Sequence, residues 1–428
     1  MEEELRAALY RDACGLLTRL FADPELFPDE EPARCLEKRY ARRPLTVQTL
    51  FGTVPLHRNY YHHQPSHTGR CPLDERLGLV ESFSPAVARM MTQAAARSGS
   101  YAEAAADLRR YAGVEIETRA FDRLVNRVAP SLTEALESLS PVAESKPIPV
   151  FYASADGTGV PMRREELAGR VGRQPDGTAK TREAKLGCVF TQTVTDEEGQ
   201  PLRDPDSTSY VGTLEGCAEL GLLLRQEARR RGLDRAQEVV FLGDGSPWVW
   251  EIARLHFPGA TQILDFYHAA EYVVELAALL FPSEEAKRLG QQDQWLSDMK
   301  ASDPSAMLKK ARRLAATGCL SAEQNATIQS KIAYFENQAE RTRYGEFRAR
   351  GYFIGSGVIE AGCKCVVGRR LKQSGMFWSE PGAENLLRLR CLVLGPHATD
   401  AWAARPNVMA QHQAQARRWN PPDLAAAA

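Results

Sequence analysis

The chain has 428 residues, enough for one large domain or two to three ordinary ones. Hydrophobic residues make up 43% and charged residues 25%, a globular composition that excludes wholesale disorder. The 54 basic residues almost balance the 55 acidic ones, so the net charge of −1 neither requires nor excludes a nucleic-acid partner. Such a partner has to be bound by local basic patches.

The nine cysteines are scattered and odd in number, which is typical of a reducing compartment. The N-terminal sequence is acidic with a helical apolar rhythm, and it lacks the basic start and apolar core of a signal peptide. The longest apolar stretch, near Val273–Phe281, is broken by Glu275 and is too short to span a bilayer. We therefore expect a cytoplasmic protein without a membrane partner.

The first region, residues 1–83, is predicted to contain an N-terminal helix and a β-hairpin. Apolar and polar residues alternate over Leu45–His63, and the turn is expected near Gly52. Four residues of zinc-ligand type follow or end this hairpin: His62, His63, His67 and Cys71. Their spacing is irregular and no CxxC motif is present, so Zn²⁺ is not expected.

Residues 84–140 are predicted to form a cluster of short helices. Ser84 followed by Pro85 is typical of a helix start. One helix is expected to end at Gly113, and a second begins near Thr118, after a short connection. This pattern indicates a helix-turn-helix that binds DNA, and a plain helical hairpin that packs on its neighbours is the alternative.

The second of these helices carries arginines four residues apart, at Arg119, Arg123 and Arg127. That spacing places them on one face, with Phe121, Leu124 and Val128 on the other. We expect the arginines to bind DNA. An ordinary solvated basic face explains the same pattern.

After a linker near Pro141–Pro149, the pattern changes to alternating strands and helices over residues 146–268. The order β-β-(β)-α-β-α-β predicts a mixed α/β layer. A helical stretch, residues 269–350, interrupts this domain. The domain is predicted to resume over 351–395, and residues 396–428 form a C-terminal tail.

Two strands of the α/β domain are predicted to end in an Asp-Gly pair, at Asp156 and Asp244. Open α/β sheets bind ligands at the carboxyl ends of their strands, so both acids are candidate site residues. The alternative is a simple turn, because Asp-Gly is a common turn pair. Asp176-Gly177 is such a turn pair, since it lies in a polar loop with no strand before it.

A third carboxylate is expected at Glu360, at the start of a helix. Hard divalent cations such as Mg²⁺ take oxygen ligands, and two aspartates alone leave them under-coordinated. Glu360 lies within residues 341–372, which hold eight basic residues and only one other acid, Glu346. This composition indicates a metal ligand beside a phosphate-binding surface. An ordinary glutamate favoured by the helix macrodipole is the alternative.

The basic residues after Glu360 are predicted to contact DNA phosphates: Lys364, Arg369, Arg370 and Lys372. Two cysteines in the same helix, Cys363 and Cys365, are predicted to be packing residues.

Four blocks of the sequence resemble the ISKra-type insertion-sequence transposases, over about residues 44 to 395. The blocks are SADGTGVPMRR, GTLEGCAELGLLLRQEARRRG, FLGDGSPWVWEIARLHFPGATQILDFYHAAEYV and GSGVIEAGCKCVVGRRLKQSGMFWS. These are bacterial DDE transposases with a ribonuclease H-like catalytic core. In that family the three acids stand in the first strand, after the fourth strand, and on a helix beyond a helical insertion.

The resemblance implies that Asp156, Asp244 and Glu360 bind Mg²⁺, with Mn²⁺ as a substitute. The insertion is then the helical stretch 269–350. It also implies accessory roles for Asp265 and His268, although a structural histidine fits the local pattern equally well. The expected partners are transposon ends and target DNA, bound in the nucleoid by a homodimer or higher oligomer.

Two further functions stay open at this stage. A decayed or domesticated relative would bind DNA ends without cutting them. The resembled family usually has a zinc-knuckle cysteine pair after the Tyr-Tyr of its N-terminal hairpin, and the absence of this pair here favours that alternative. A structure-specific nuclease on the same fold is the third. The presence of all three acids in their expected contexts favours the active transposase.

Overall fold

The computed structural model describes residues 1–28, 37–64, 67–140, 146–172, 174, 177–317 and 320–418. Most of the predicted linker 141–149, the predicted turn at Asp176 and residues 419–428 lie outside these ranges. The chain divides into two compact units, one formed by residues 1–139 with those from Pro381 onward, the other by residues 140–380. The predicted boundary at residue 395 lies later than this division and stays a prediction.

The first unit begins with a helix and a three-stranded antiparallel sheet in the order β1-β2-β3. The elements are α1 (Glu2–Ala22), β1 (Glu37–Thr49), β2 (Gly52–His63) and β3 (Thr68–Arg70). Thr49 pairs with Gly52 across the turn, so the predicted hairpin is confirmed. Near the turn, Val47, Val54 and Leu56 are buried in a small core against α1.

A short helix, α2 (Pro72–Arg76), precedes the predicted helical cluster. Three helices lie within the cluster, as predicted: α3 (Pro85–Arg97), α4 (Tyr101–Asp107) and α5 (Thr118–Glu137). The Ser84 hydroxyl accepts a hydrogen bond from the Val87 amide at 3.4 Å, which caps α3 as predicted. After α4 a wide turn runs to Gly113, whose φ of 68° ends the helix in the left-handed region.

The amphipathic pattern of α5 is confirmed. Phe121, Leu124 and Val128 are buried, whereas the arginines at 119, 123 and 127 are exposed. Arg123 lies 3.5 Å from Glu81, an exposed ion pair worth little to stability. DNA binding by these arginines stays a prediction.

The second unit contains a five-stranded mixed sheet and a small separate hairpin, so the predicted mixed α/β layer is confirmed. Its strands are β4 (Ile148–Pro161), β5 (Thr181–Gln192), β6 (Val194–Thr195), β7 (Pro201–Leu202), β8 (Ser209–Thr213), β9 (Ala236–Gly243) and β10 (Thr261–Leu264). The sheet order is β10-β9-β4-β5-β8, and β6 pairs with β7. β5 runs antiparallel to β4 and β8, whereas β4, β9 and β10 are parallel.

Helices flank this sheet, and some of them fall in the stretch 269–350 that is predicted to be a helical insertion. They are α6 (Cys217–Arg230), α7 (Pro247–His256), α8 (Phe266–Leu280), α9 (Glu285–Ala301), α10 (Ser305–Thr317), α11 (Ala322–Asn337), α12 (Tyr344–Ala349), α13 (Gly357–Gly362) and α14 (Arg369–Leu371). A wide helical turn, Cys363–Gly368, joins the last two into one helical segment. The insertion helices start at Phe266, three residues before the predicted boundary.

Two more helices complete the chain, α15 (Glu380–Leu394) and α16 (Ala398–Arg418), the second within the predicted tail. Over the described residues, each helix is too short or too polar to cross a membrane.

The prediction that a strand ends at Asp156 is wrong. β4 continues for five residues beyond it, because β5 keeps pairing with β4 as far as Pro161 and Thr181. The parallel pairing with β9 stops earlier, at Ser154 and Leu242. Asp156 therefore lies where β4 loses one of its two neighbours, at the edge where β9 ends.

Close packing holds α13 on the sheet. A side chain at Gly362 would place its Cβ 2.5 Å from the Tyr210 ring and 3.2 Å from Leu186. The absence of a side chain therefore lets the helix approach β5 and β8 closely.

We predict that Gly362→Ala lowers the free energy of unfolding by about 1–3 kcal/mol, because the added methyl group overpacks this contact. Gly357→Ala is the matched control in the same helix, since no atom lies within 4 Å of its added Cβ. Denaturant unfolding measures both variants. Equal stability of the two would show that the close approach at Gly362 is unimportant.

Candidate active site

Three carboxylates from distant parts of the chain are gathered at one edge of the sheet. Asp244 directly follows β9, as the sequence predicts. Asp156 lies in the neighbouring strand β4, just beyond the last residue that pairs with β9. Glu360 lies in the first turn of α13, which packs against β4 and β5.

The pKa of Asp156 reports that the other two acids are close. Burial is the largest cause that raises this pKa above its ordinary value of 3.8. Hydrogen bonds from the Gly157 amide and the Cys363 thiol act in the opposite direction. The negative charges of Asp244 and Glu360 both raise the pKa further. The three carboxylates thus repel one another across this edge.

The side chain of Asp244 is fixed by the residue two positions later. Ser246 donates its amide to Oδ1 and its hydroxyl to Oδ2, each at 2.9 Å. The Tyr334 hydroxyl of α11 donates to the Asp244 carbonyl at 3.3 Å. Gly245, with a φ of 100°, allows this contact because a Cβ there would lie 2.4 Å from the tyrosine oxygen. A helix of the insertion therefore supports the position of Asp244.

Glu360 is the exposed member of the three. Its Oε1 lies 3.4 Å from the Ser356 hydroxyl, which donates to it, and Ser356 is buried at the start of α13. The Ser356 amide in turn donates to Oδ2 of Asp265. This chain of contacts fixes where the Glu360 helix begins, while the exposed carboxylate keeps rotational freedom.

Asp265 holds two backbone segments together. It is buried and caps α8, accepting a hydrogen bond from the His268 amide at 2.6 Å as well as the one from Ser356. β10 stops at Leu264, and His268 lies in the first turn of α8. Its half-exposed ring lies 3.8 Å from Glu271.

Three of the four predicted phosphate contacts face solvent. Lys364, Arg369 and Lys372 are exposed, and the Lys372 ammonium lies 2.9 Å from the Thr158 hydroxyl, two residues beyond Asp156 in β4. The prediction that Arg370 contacts a phosphate is wrong. Its side chain is 1% exposed and packs over the Trp378 ring, so it is not available to bind a phosphate.

One side chain beside the carboxylates was not predicted to belong to the site. The Cys363 thiol donates to Asp156 Oδ2 at 3.4 Å, so this cysteine is more than a packing residue. Its position three residues after Glu360, on the same helical face, was the available signal. Cys365 is exposed.

The chemistry of the three acids fits a hard divalent cation, which prefers carboxylate oxygens and offsets their repulsion. However, within the described ranges no three His, Cys, Asp or Glu side chains are already arranged as a ligand set. Binding a metal here therefore requires a side-chain rotation, for which the exposed Glu360 has the freedom. Among the described residues, a ready ligand set is likewise not formed by His62, His63, His67 and Cys71.

Comparisons with known proteins give limited similarity. Residues 32–171, about a third of the chain, match the model of an Uncharacterised protein family (UPF0236). The comparison with curated proteins gives no match. Among solved structures, the chain is similar to the Drosophila P element transposase strand transfer complex, with 10% identity and a TM-score of 0.26 over 79% of this chain and 83% of that one. A similarity this weak supports no conclusion about the fold.

We predict that Asp156→Asn stabilises the metal-free protein at neutral pH and has little effect near pH 4. The pKa of Asp156 is raised in the folded state, so ionising this side chain lowers the stability of the fold. This loss of stability is absent below pH 3.8 and develops as the pH rises through the folded-state pKa. The amide cannot ionise and so removes that loss, and the variant therefore gains stability over the wild type as the pH rises. Thermal unfolding from pH 4 to 8 measures the difference. A constant difference between variant and wild type across this range would contradict the prediction.

The hydrogen bonds predict that amide substitution lowers stability at Asp265 and leaves it unchanged at Asp244. In Asp265→Asn, one oxygen becomes an NH₂ group that faces a backbone N–H, which costs about 1–3 kcal/mol in a buried position. In Asp244→Asn, the new NH₂ group can donate to the Ser246 hydroxyl, so stability is retained. Denaturant unfolding of both variants is the measurement. Equal losses of stability would contradict the assigned contacts.

Proposed function

We propose that the protein is a DNA transposase that cleaves DNA strands at transposon ends and joins them to target DNA, in a reaction that depends on Mg²⁺ or Mn²⁺. The observation that carries the proposal is the electrostatic coupling of three acids. Asp244 and Glu360 both raise the pKa of Asp156, although Glu360 follows Asp244 by 116 residues in the sequence. Structural carboxylates are rarely held together without a cation.

The position of each acid in the fold supports a ribonuclease H-like catalytic core of the ISKra type. Asp156 lies in the first strand of the five-stranded sheet, and Asp244 follows the fourth strand in chain order. Glu360 lies beyond the helices of the insertion. These are the three places that the resemblance to DDE transposases implies.

A bound metal ion pair supplies Lewis acidity and activates water or a 3′-OH against a phosphodiester. In this proposal Asp156, Asp244 and Glu360 hold the metal. Ser246 and Ser356 orient two of the carboxylates through their hydrogen bonds. Asp265 acts as a positioning residue, and His268 lies beside it without a ring contact to the three acids among those described.

Three exposed cations that follow Glu360 along the chain are proposed to hold the DNA backbone. Lys364, Arg369 and Lys372 follow Glu360 in the same helical segment. The arginines of α5 at 119, 123 and 127 are proposed to bind the transposon end. A homodimer or a higher oligomer would bring two ends together.

A catalytically decayed relative that only binds DNA is the second candidate. The observation that favours it is that the three acids do not form a ready metal-ligand set among the described residues. The two candidates differ in whether DNA is cut.

We predict that Asp244→Asn abolishes strand cleavage, by about 100-fold or more, and leaves DNA binding and folding intact. A neutral amide lacks the charge that a hard dication requires, and the cations that hold phosphates are unchanged. The assay is Mg²⁺-dependent nicking of a supercoiled plasmid that carries the coding sequence with its flanking genomic DNA, at equal binding saturation.

Two controls make the result specific. Glu251→Gln changes an exposed acid of α7 that pairs with Arg254, and it should nick like the wild type. If Asp244→Asn nicks at the wild-type rate, Asp244 is a structural cap. If the wild type does not nick while it binds the DNA, the decayed relative is correct.

A further inference from the structure

The sheet of the first unit has a strongly basic composition. β1, β2 and β3 contain six basic residues and one acid, Glu37. The basic residues are Lys38, Arg39, Arg42, Arg43, Arg58 and Arg70. Glu37 pairs with Arg70, and Arg58 pairs with Asp74 of α2. Within this six-to-one excess of basic residues, Lys38 and Arg43 are exposed towards the end of the sheet away from the turn. Such an excess within a nearly neutral chain indicates a local anionic partner.

Aromatic side chains lie among these cations on one face. Tyr40 pairs with Tyr60, and Lys38 pairs with His62, so these four share a face of the sheet. The rings of Tyr40 and Tyr60 are 6.2 Å apart, and those of Tyr40 and His62 are 6.0 Å apart. His67, after β2, places its ring 6.2 Å from that of His62. The result is a continuous aromatic surface.

Arg43 is held in position by one of these rings. Its guanidinium lies 3.5 Å above Tyr60, a cation–π contact that fixes the side chain while leaving it exposed. The tyrosine also lies close to Gly69, where a Cβ would be 2.0 Å from the hydroxyl. A stacked guanidinium keeps its edge N–H groups available for a phosphate.

The same face is covered near the turn and open farther along. Val54 and Leu56 are buried in the small core, and Arg58 marks the border with α2 through its ion pair. Beyond it, Tyr40 is 48% exposed and has no covering helix among the described residues. Contiguous exposed aromatic side chains, unlike single ones, mark an interaction site.

We propose that this face, formed by Lys38, Tyr40, Arg43, Tyr60 and His62, binds single-stranded nucleic acid. An unpaired base stacks on the open ring of Tyr40, and Arg43 with Lys38 binds the flanking phosphates. Duplex DNA hides the faces of its bases, so a duplex would use the cations and gain nothing from the tyrosine. The site is distinct from the three acids and from the arginines of α5, and it does not depend on cleavage.

The experiment measures binding of the full chain to a fluorescein-labelled 12-nucleotide oligo-dT, in EDTA, by fluorescence anisotropy. Tyr40→Ala is expected to weaken binding by about fivefold or more, the effect of losing one stacked base. Tyr40→Phe keeps the ring and should stay within about twofold of the wild type. Arg43→Ala should also weaken binding and reduce the salt slope by about 0.7, the value for one phosphate of a single strand.

Two controls separate stacking at this face from other effects. Tyr111 is 74% exposed beside Arg109 and Arg110, outside the sheet, so Tyr111→Ala should leave oligo-dT affinity unchanged. Tyr40→Thr keeps a strand-forming residue without a ring, and it should bind as weakly as Tyr40→Ala with a wild-type unfolding temperature.

The proposal is overturned if Tyr40→Ala and Tyr40→Thr bind oligo-dT like the wild type. It is also overturned if Tyr111→Ala loses as much affinity, or if a 12-base-pair duplex loses as much as oligo-dT when the ring is removed. In the last case the face is a general phosphate-binding patch. None of these results bears on metal-dependent nicking, which the Asp244→Asn assay tests separately.

Discussion

Repulsion of Asp156 by two neighbouring carboxylates, added to its partial burial, is the constraint on which the candidate site depends. Asp156 is partly buried and lies next to two other acids, so its ionised form is disfavoured where it stands. Two hydrogen bonds, from Gly157 and Cys363, recover part of this cost. A divalent cation would remove the remaining repulsion, which gives the arrangement a chemical reason.

The surroundings of the three acids hold them against that repulsion. Ser246 binds both oxygens of Asp244, and Tyr334 of the insertion fixes the backbone of the same residue. Asp265 connects the start of α8 with the start of the Glu360 helix. The acid that is least restrained is Glu360, and it is also the most exposed. This difference assigns Glu360 the adaptable role in the proposed metal site, with the two aspartates as its fixed part.

Much of this arrangement was predictable because it follows from local patterns. The strand before Asp244, the cap at Ser84 and the buried face of α5 all depend on the periodicity of neighbouring residues. The three acids were found through strand ends and a basic helix, with help from the resemblance to a transposase family. The choice of these three residues and their role as metal ligands stay proposals.

Features that depend on distant pairing were not predictable. β4 continues past Asp156 only because β5 extends beside it. Arg370 is buried because Trp378, eight residues later, folds back under it. The aromatic face of the first unit requires the register of Tyr40 with Tyr60, which a hairpin prediction alone does not specify.

The most direct test of the central claim is anomalous X-ray diffraction from crystals of the protein soaked in Mn²⁺. The account predicts an anomalous peak between Asp156 and Asp244, with the Glu360 side chain rotated towards it. The same crystals of Asp244→Asn should lack the peak. Well-ordered wild-type crystals with Mn²⁺ bound elsewhere, and none between the two aspartates, would contradict the claim that these three acids form a metal site.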